Sequence, residues 1–371
     1  MVEPAPGSGV GIPAIVGIVG AGTMGAGIGQ VALEAGWEVV FYDVDEAAIQ
    51  GGRERIRDGL RRRAAKLGLD PGETGDWVAA RLDRVRHVPT VDGLADDADL
   101  IIESAVEDLA LKRTVFSTLD EVADASVILA TNTSALSVAQ IAEATRRPER
   151  VIGLHFFNPA PIMALVEVIA PPLSDPAVIA RAVETMTTWG KTPVVCADRP
   201  GFIVNRVNRP FTLEALRILE SGSASVAEID QALRDGGFPM GPFELMDLTG
   251  IDVTLAAATG IWEGLGRPDR LRSSPIQRAL VDAGDLGRKT GQGFYRYDDG
   301  RRTGEAVRPP ISASQELLVA AQIRDRILDA IAEEARLAAA EGVASPDVID
   351  LALRLGAGHP HGPFESRKSP S

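Results

Sequence analysis

The chain contains a single cysteine, Cys196, so no disulfide can form within it, and we expect a buried, unreactive thiol because no activating partner is evident. No apolar run approaches the roughly 20 residues that a membrane-spanning helix needs. Residues 1–11 lack the basic start and apolar centre of a secretory signal. Lys and Arg number 38 against 52 Asp and Glu, a formal net charge of -14. We therefore expect a cytoplasmic protein that binds neither membranes nor nucleic acid.

At 371 residues the chain is long enough for about two domains of ordinary size. Short apolar runs alternate with helical periodicity as far as Ala197, which predicts a parallel sheet with helices on both faces. From Phe202 onward, helices punctuated by Gly and Pro predict an all-helical domain. The predicted parts are 1–13, a disordered extension; 14–197, the sheet domain; 198–297, a helical domain; 298–314, a polar surface linker; and 315–371, a truncated helical repeat with a tail.

The helical part contains an internal repeat. The stretch from Glu214 to Glu244 recurs from Glu334 to Glu365 with the same order of Glu-Ala, Ile-Asp, Ala-Leu-Arg and Gly-Pro-Phe-Glu. The first copy continues to Tyr295, whereas the second stops just after Phe364. The second copy could cover apolar surface of the first or extend a dimer contact, and the sequence does not choose between these roles.

Residues 15–43 carry the pattern of a dinucleotide-binding site. A β-branched run leads into Gly20-Ala21-Gly22-Thr23-Met24-Gly25, a helix-like segment follows, and a second apolar run ends in Asp43. This strand, helix and carboxylate context separates the motif from chance glycines. Gly20 allows a tight turn, Gly22 lets a pyrophosphate approach the backbone, and Gly25 lets the helix pack closely on the sheet. Asp43 would accept from both ribose hydroxyls and repel a 2′-phosphate, which favours NAD over NADP.

Four polar residues are candidates for the chemistry. His155 ends a predicted strand, where open α/β sheets keep their ligands, and a neutral imidazole can accept a proton from an alcohol. Glu167 is a charge in an apolar strand; pairing with His155 would satisfy it, and an edge-strand carboxylate facing water is the alternative. Ser134 follows another strand and Asn205 starts the first helix of the second domain. Each could contact the reacting oxygen or serve only as a cap or turn residue.

A set of motifs resembles the 3-hydroxyacyl-CoA dehydrogenases over about residues 14–297. The motifs are Gly20–Gly25, Glu107 with Lys112, Thr131–Ser134, Gly153–Pro159, Pro200–Arg206, Pro239–Leu245 and Gly287–Phe294. The resemblance implies a Rossmann-type doubly wound α/β domain followed by an all-α dimerisation domain with a partial second repeat. It also implies NAD-dependent oxidation of a 3-hydroxyacyl thioester, such as a short-chain 3-hydroxyacyl-CoA of fatty acid metabolism, to the 3-oxoacyl thioester, or the reverse reduction.

The same resemblance assigns roles to individual residues. It implies His155 as the general base, Glu167 as its orienting carboxylate, substrate-oxygen contacts from Ser134 and Asn205, no metal, and a homodimer through the helical domain. It implies cofactor contacts from Gly20, Gly22, Thr23, Met24, Gly25, Asp43, Glu107, Lys112 and Asn132.

The sequence departs from the family on the helix after Asp43. In animal members a serine and a lysine there hold the CoA nucleotide; the serine position falls on Gly59, and the lysine position on Lys66, a predicted substrate contact. The basic face from Arg53 to Lys66 would suit CoA phosphates or an acidic carrier protein, or be simply a solvated surface. Related proteins act on hydroxyacyl groups such as a glyceryl unit on an acyl carrier protein, or on free gulonate, and one is a non-enzymatic lens protein that binds NAD.

Overall fold

The structure is a computed structural model that describes residues 14–96, 98–308 and 317–365. The predicted extension over residues 1–13 lies outside the described residues. The chain divides into two compact units. We call unit 1 the residues up to 133 with 138–166 and 173–192, and unit 2 the residues 134–137, 167–172 and from 193 onward.

An eight-stranded sheet has the order β3-β2-β1-β4-β5-β6-β7-β8. The five pairings from β3 to β6 are parallel. The strands are β1 Ile15–Val19, β2 Glu38–Tyr42, β3 Val85–His87, β4 Leu100–Glu103, β5 Ile128–Thr131, β6 Val151–Phe156, β7 Leu165–Ala170 and β8 Thr192–Ala197. The strand order reverses direction at β1, and the crevice at the carboxyl ends of such strands is where open α/β sheets bind ligands.

The register aligns the carboxyl ends of neighbouring strands. Val19 pairs with Tyr42 on one side and with Glu103 on the other, and Glu103 pairs in turn with Thr131. β1 is buried along its whole length, as its β-branched run predicts for a central parallel strand. Residues that directly follow these ends, including Gly20 and Asp43, are thereby brought to one edge of the sheet.

Six helices accompany the strands of unit 1: α1 Thr23–Glu34, α2 Glu46–Leu67, α3 Pro71–Leu82, α4 Leu109–Val122, α5 Val138–Ala142 and α6 Pro176–Thr188. The predicted helix after Asp43 begins at Glu46, where the Asp45 carboxylate accepts from the Ala47 amide at 2.9 Å. α3 and β3 were not predicted from the sequence. The signal for α3 was present, because Asp70, Pro71 and Glu73 form a capping box with proline at the first turn.

Besides most of β7 and β8, the described residues of unit 2 form helices and one hairpin. Its helices are α7 Val204–Val207, α8 Arg209–Ser221, α9 Val226–Asp235, α10 Pro242–Thr249, α11 Ile251–Gly264, α12 Pro275–Ala283, α13 Ala320–Ala340 and α14 Pro346–Ala357. The hairpin pairs β9 Tyr295–Asp298 with β10 Arg301–Glu305. The predicted surface linker over 298–314 therefore needs correction at its start, because backbone pairing with β9 orders residues 301–305. Residues 309–316 lie outside the described part of the chain.

Candidate active site

The turn after β1 contains two glycines at which backbone atoms occupy the space that a side chain would need. Gly20 has φ of 96° and donates its N–H to the Tyr42 carbonyl at 2.8 Å. A Cβ there would lie 2.7 Å from the Ser104 carbonyl oxygen, and a Cβ at Gly25 would collide with the Gly20 carbonyl. The structure therefore supports the predicted roles of both glycines, a tight turn and close packing of α1 on the sheet.

Gly22 differs from these two because nothing lies within 4 Å of the position its Cβ would occupy. It is the N-cap of α1 and brings no side chain to cap it. Gly22 and Thr23 are exposed, and Met24 is half-buried beside them. The open backbone N–H groups of a helix start attract anions, so this end of α1 has the form that a pyrophosphate requires.

Asp43 is held beside this turn by two backbone amides. Its Oδ2 accepts from the Ala21 N–H at 2.8 Å and its Oδ1 accepts from the Asp45 N–H at 3.1 Å. The residue is half-buried. The carboxylate is therefore fixed directly after β2, next to the glycine turn, which is the placement expected of the group that binds an adenosine ribose.

Lys112, a predicted cofactor contact, forms ion pairs with two carboxylates. Its ammonium donates to both carboxylate oxygens of Glu103, at 2.7 and 2.8 Å, and lies 3.4 Å from Glu107. Glu103 also accepts from the Thr131 hydroxyl and the Ala105 amide, each at 2.7 Å. Glu103 and Lys112 are 0% and 1% exposed. The sequence analysis missed Glu103, although a carboxylate ending the apolar run Leu-Ile-Ile was a visible signal.

Asn132 connects three strands at the same edge. Its backbone N–H donates to the Glu103 carbonyl at 2.8 Å, its side-chain oxygen accepts from the Phe156 amide at 2.8 Å, and its side-chain nitrogen donates to the Ser104 hydroxyl at 3.2 Å. The residue fixes the ends of β4, β5 and β6 relative to one another. Thr133 next to it donates its hydroxyl to the Glu107 carboxylate.

His155 is the penultimate residue of β6, at the carboxyl end of the strand as predicted. It is 4% exposed, and its ring lies 4.6 Å from the ring of Phe157. The ring is therefore held among packed neighbours in the strand end that Asn132 fixes through Phe156. A confined imidazole loses little orientational freedom when it accepts a proton.

The loop after β6 is fastened by a buried lysine that the sequence analysis did not single out. Lys191, which directly precedes β8, donates from Nζ to the carbonyl oxygens of Ala160 at 2.5 Å and Met163 at 2.9 Å. The same loop packs on α1, because a Cβ at Gly27 would lie 3.3 Å from the Ala160 side chain. Burial lowers the pKa of Lys191 to about 8, against the opposing charge of Glu34.

This lysine predicts a pH dependence of stability. Between about pH 8 and the ordinary value of 10.5 the folded chain binds fewer protons at Lys191 than the unfolded chain does, so the free energy of unfolding rises with pH there. We compare the free energies of unfolding of wild type and Lys191→Met. Between pH 7.5 and 9.5 the difference between them is expected to shift in favour of wild type by about 1–2 kcal/mol, allowing for solvent screening. Urea unfolding at both pH values measures this, and parallel pH curves for the two proteins would contradict it.

Glu167 on β7 is 0% exposed, so the alternative of a carboxylate facing water is excluded. Its Oε1 accepts from the backbone N–H groups of Ile203 and Val204 at 3.0 and 2.9 Å, where α7 begins. In the same unit Cys196 is buried as predicted, and burial followed by the charges of Glu167 and Asp198 raises the pKa of its thiol. The structure thus makes Glu167 a fixed, desolvated carboxylate.

Ser134 and Asn205 lie together in unit 2. The Asn205 side-chain nitrogen donates to the Ser134 carbonyl oxygen at 3.3 Å. Ser134 is exposed and Asn205 is half-buried in α7. Of the predicted site residues, unit 2 holds Ser134, Glu167 and Asn205, and unit 1 holds His155, the predicted cofactor contacts and Lys66.

Lys66, the predicted substrate contact, is exposed in the last turn of α2. Gly59 cannot be replaced by the serine of animal relatives without displacement, because a Cβ there would collide with the Gln30 amide of α1. Within the basic face of α2, Arg53 donates to the Val85 carbonyl at 3.0 Å and Arg63 lies 3.4 Å from Glu34.

A groove of about 280 Å³ separates α2 from α3. Its lining residues are Arg57, Arg61, Pro71, Thr74, Gly75, Val78, Ala79 and Leu82. The two guanidinium groups give it a positive wall, and guanidinium groups bind phosphate oxygens well.

Comparison with known proteins places the chain. The family model "3-hydroxyacyl-CoA dehydrogenase, NAD binding domain" matches residues 15–199, and that for the C-terminal domain matches residues 201–297 and again 323–367. The chain belongs to the 3-hydroxyacyl-CoA dehydrogenase family. This membership confirms the predicted fold class, NAD as the cofactor, and the predicted NAD-dependent 3-hydroxyacyl-CoA dehydrogenase activity. The second match also identifies the repeat as a further copy of family sequence.

Individual relatives agree with the family models. The 3-hydroxyadipyl-CoA dehydrogenase of Escherichia coli K12 is 43% identical over 293 residues, which cover 79% of this chain and 60% of that protein. The mitochondrial hydroxyacyl-coenzyme A dehydrogenase of Sus scrofa is 40% identical, covering 76% and 90%. A crystal structure of 3-hydroxybutyryl-CoA dehydrogenase from E. coli K12 superimposes with a TM-score of 0.85 and 33% identity, covering 95% of this chain and 90% of that one.

Two features are absent from the described residues. No helix among them has both the length and the apolar character needed to cross a bilayer. Over the same part of the chain, no three His, Cys, Asp or Glu side chains group closely enough to hold a metal ion.

Proposed function

We propose that this chain interconverts a short-chain 3-hydroxyacyl-CoA and its 3-oxoacyl-CoA, with His155 as the base. In the oxidation the hydroxyl proton moves to an imidazole nitrogen of His155, and bound NAD accepts the hydride from the same carbon. The observation that carries the proposal is a buried, packed histidine at the carboxyl end of β6, in the sheet edge that also holds the glycine turn and Asp43. A confined neutral imidazole suits proton transfer near neutral pH.

Glu167 is proposed as the carboxylate that stabilises the imidazolium. The carboxylate is fully buried on β7 and is fixed by two backbone amides. A desolvated negative charge favours the protonated form of a nearby histidine. Glu167→Gln is expected to lower turnover while keeping the shape of the side chain.

Ser134 and Asn205 are proposed to hold the reacting oxygen, because the Asn205 side chain binds the Ser134 backbone carbonyl and so keeps the two residues together. Thr23, Met24 and Asn132 are proposed cofactor contacts because of their places at the glycine turn and the strand ends. Lys112 was predicted, with Glu107, to contact the cofactor. Its buried ion pair with Glu103 instead supports the role of neutralising the Glu103 carboxylate.

The α2–α3 groove supports CoA as the carrier of the acyl group. Arg57 and Arg61 line a concave site of a size and charge that suit a phosphate-bearing nucleotide, whereas an acidic carrier protein needs a wide convex patch. The exposed arginines and Lys66 along α2 keep the carrier protein as a second candidate. The names of the two E. coli relatives, which specify butyryl and adipyl groups, support a short acyl chain.

A substrate panel tests this choice. We expect NADH oxidation with acetoacetyl-CoA, and the double variant Arg57→Gln/Arg61→Gln should raise KM for acetoacetyl-CoA about tenfold or more, since each lost charge-assisted contact costs about 1.5 kcal/mol. KM for the N-acetylcysteamine thioester, which has no phosphate, should not change. Arg278→Gln, an exposed arginine of α12, is the control.

Two outcomes would contradict the CoA assignment. Equal losses on both thioesters would mean that the arginines act only through the fold. A higher kcat/KM with an acetoacetyl group on an acyl carrier protein would favour the carrier protein instead.

The cytoplasmic location stays a prediction. The homodimer through the helical domain also stays a prediction. Within the chain α13 packs on α8, and this contact would compete with a second chain for the same surface of α8.

A further inference from the structure

The two copies of the repeated unit can be aligned residue by residue. From Arg206 to Gly236 each residue has its counterpart 120 positions later, and from Gly237 to Glu244 the interval is 121 because Ala357 is inserted. Serine precedes the second helix of both copies, Ser225 before α9 and Ser345 before α14. α8 and the second half of α13 are therefore counterparts, as are α9 and α14.

The counterparts make the same local contacts. The Phe243 amide donates to Asp230 at 2.9 Å, and its counterpart Phe364 donates to Asp350 at 2.9 Å. The Gly241 and Gly362 amides likewise donate to the glutamates three residues later, at 3.0 and 2.9 Å. The second copy thus repeats the structure of the first as well as its sequence.

The copies also contact each other reciprocally. Arg206 in the first copy donates from Nε to Oε1 of Glu334 in the second, at 2.8 Å. The counterpart of this arginine, Arg326, donates from Nε to Oε1 of Glu214 in the first copy, at 2.5 Å. The same pair of positions is therefore used twice, once in each direction: Arg206 of α7 reaches Glu334 of α13, and Arg326 of α13 reaches Glu214 of α8.

The loops that follow α9 and α14 also contact each other reciprocally. A Cβ at Gly237 would lie 3.3 Å from the Cβ of Pro360, and a Cβ at the counterpart Gly358 would lie 3.1 Å from the Cγ of Pro239, the counterpart of Pro360. The ring of Phe238 lies 4.9 Å from that of its own counterpart, His359. A residue that touches its own counterpart marks the position of a twofold axis.

We propose that the second copy acts as a built-in second subunit and that the chain does not dimerise through α8. Reciprocal contacts, in which position i meets j and j meets i, are the signature of an isologous twofold interface between identical subunits. Here one chain supplies both halves. The face of α8 that such an interface would use is covered by α13, whose apolar stripe of Ile323, Ile327, Ile331, Ala335 and Ala338 is buried.

The proposal separates packing within one chain from packing between two chains. Sedimentation of the full chain is expected to give the monomer mass of 39.2 kDa, with a Tm that does not change between about 1 and 100 μM. A dimer of twice that mass, with a Tm that rises with concentration, would overturn the proposal.

A complementation experiment tests the contact itself. Glu214→Arg and Arg326→Glu should each lower Tm by about 3 °C or more, because like charges then face each other, and the double variant in one chain should recover most of the loss. The Arg326–Glu214 pair is chosen because its arginine side chain is 43% exposed and its glutamate 10%, whereas the fully buried Arg206–Glu334 pair would endanger folding. Glu263→Arg, at an exposed pair on α11, is the matched control and should change Tm little.

The two single variants are then unfolded and refolded together. If α13 packs on α8 of its own chain, every contact in the mixture still joins two like charges, and the mixture keeps the low Tm of the single variants. If α13 packs on another chain, the arginine introduced in one variant meets the glutamate introduced in the other, and the mixture regains the wild-type Tm. Rescue in the mixture would overturn the proposal, and rescue only in the double variant would support it.

Discussion

His155→Gln is expected to lower kcat by about 10²–10⁴-fold, the usual contribution of a positioned general base. Glutamine keeps a polar side chain of similar reach but cannot take a proton from the substrate alcohol. His155 is the penultimate residue of β6 and lies in packed surroundings, so the variant should fold as the wild type does. Steady-state oxidation of 3-hydroxybutyryl-CoA, with NADH binding measured by fluorescence in parallel, separates catalysis from cofactor binding.

The affinity for NADH should change less than about threefold, because the glycine turn and Asp43 are untouched. His87→Gln, on exposed edge strand β3, is the matched control and should keep wild-type turnover. Turnover of His155→Gln within a few-fold of wild type would refute the base assignment. Equal loss of turnover and of NADH affinity would place His155 in cofactor binding instead.

The geometry of the glycine turn and the place of Asp43 could be predicted from the sequence because each of these residues answers a local backbone requirement. Gly20 has positive φ, Gly25 has no space for a side chain, and Asp43 directly follows β2 and binds the amide of Ala21. Such constraints leave a fixed spacing in the sequence. The alternation of β-branched runs with helical periods likewise predicted the doubly wound sheet.

The buried ionic groups were harder to predict, since their partners are distant in the chain. Lys191 binds carbonyl groups about 30 residues before it, and carbonyl oxygens leave no trace in side-chain identity. Glu103 lies nine residues before Lys112, but the motif drew attention to Glu107, which is closer in sequence. Periodicity reports which face is buried and not which charge is neutralised there.

The repeat was visible in the sequence, but its role was not. Sequence identity shows that Glu214 and Glu334 are counterparts, and only the folded structure shows that each pairs with an arginine of the other copy. The same holds for Gly237 and Gly358, which leave room for each other's prolines. Contacts between two copies of one unit follow from their packing, which the pattern of either copy alone does not determine.

Lys112→Met is expected to lower the free energy of unfolding by about 3–5 kcal/mol, because it leaves the Glu103 carboxylate buried without its cation. Glu103 is 0% exposed and would keep only the Thr131 hydroxyl and the Ala105 amide as partners. The double variant Glu103→Gln/Lys112→Met removes both charges and should recover most of the lost stability. Urea unfolding of wild type, Lys112→Met, Glu103→Gln and the double variant, with NADH affinity measured beside it, completes the cycle. A Lys112→Met protein that is as stable as wild type but binds NADH weakly would instead make Lys112 the cofactor contact that its motif suggested.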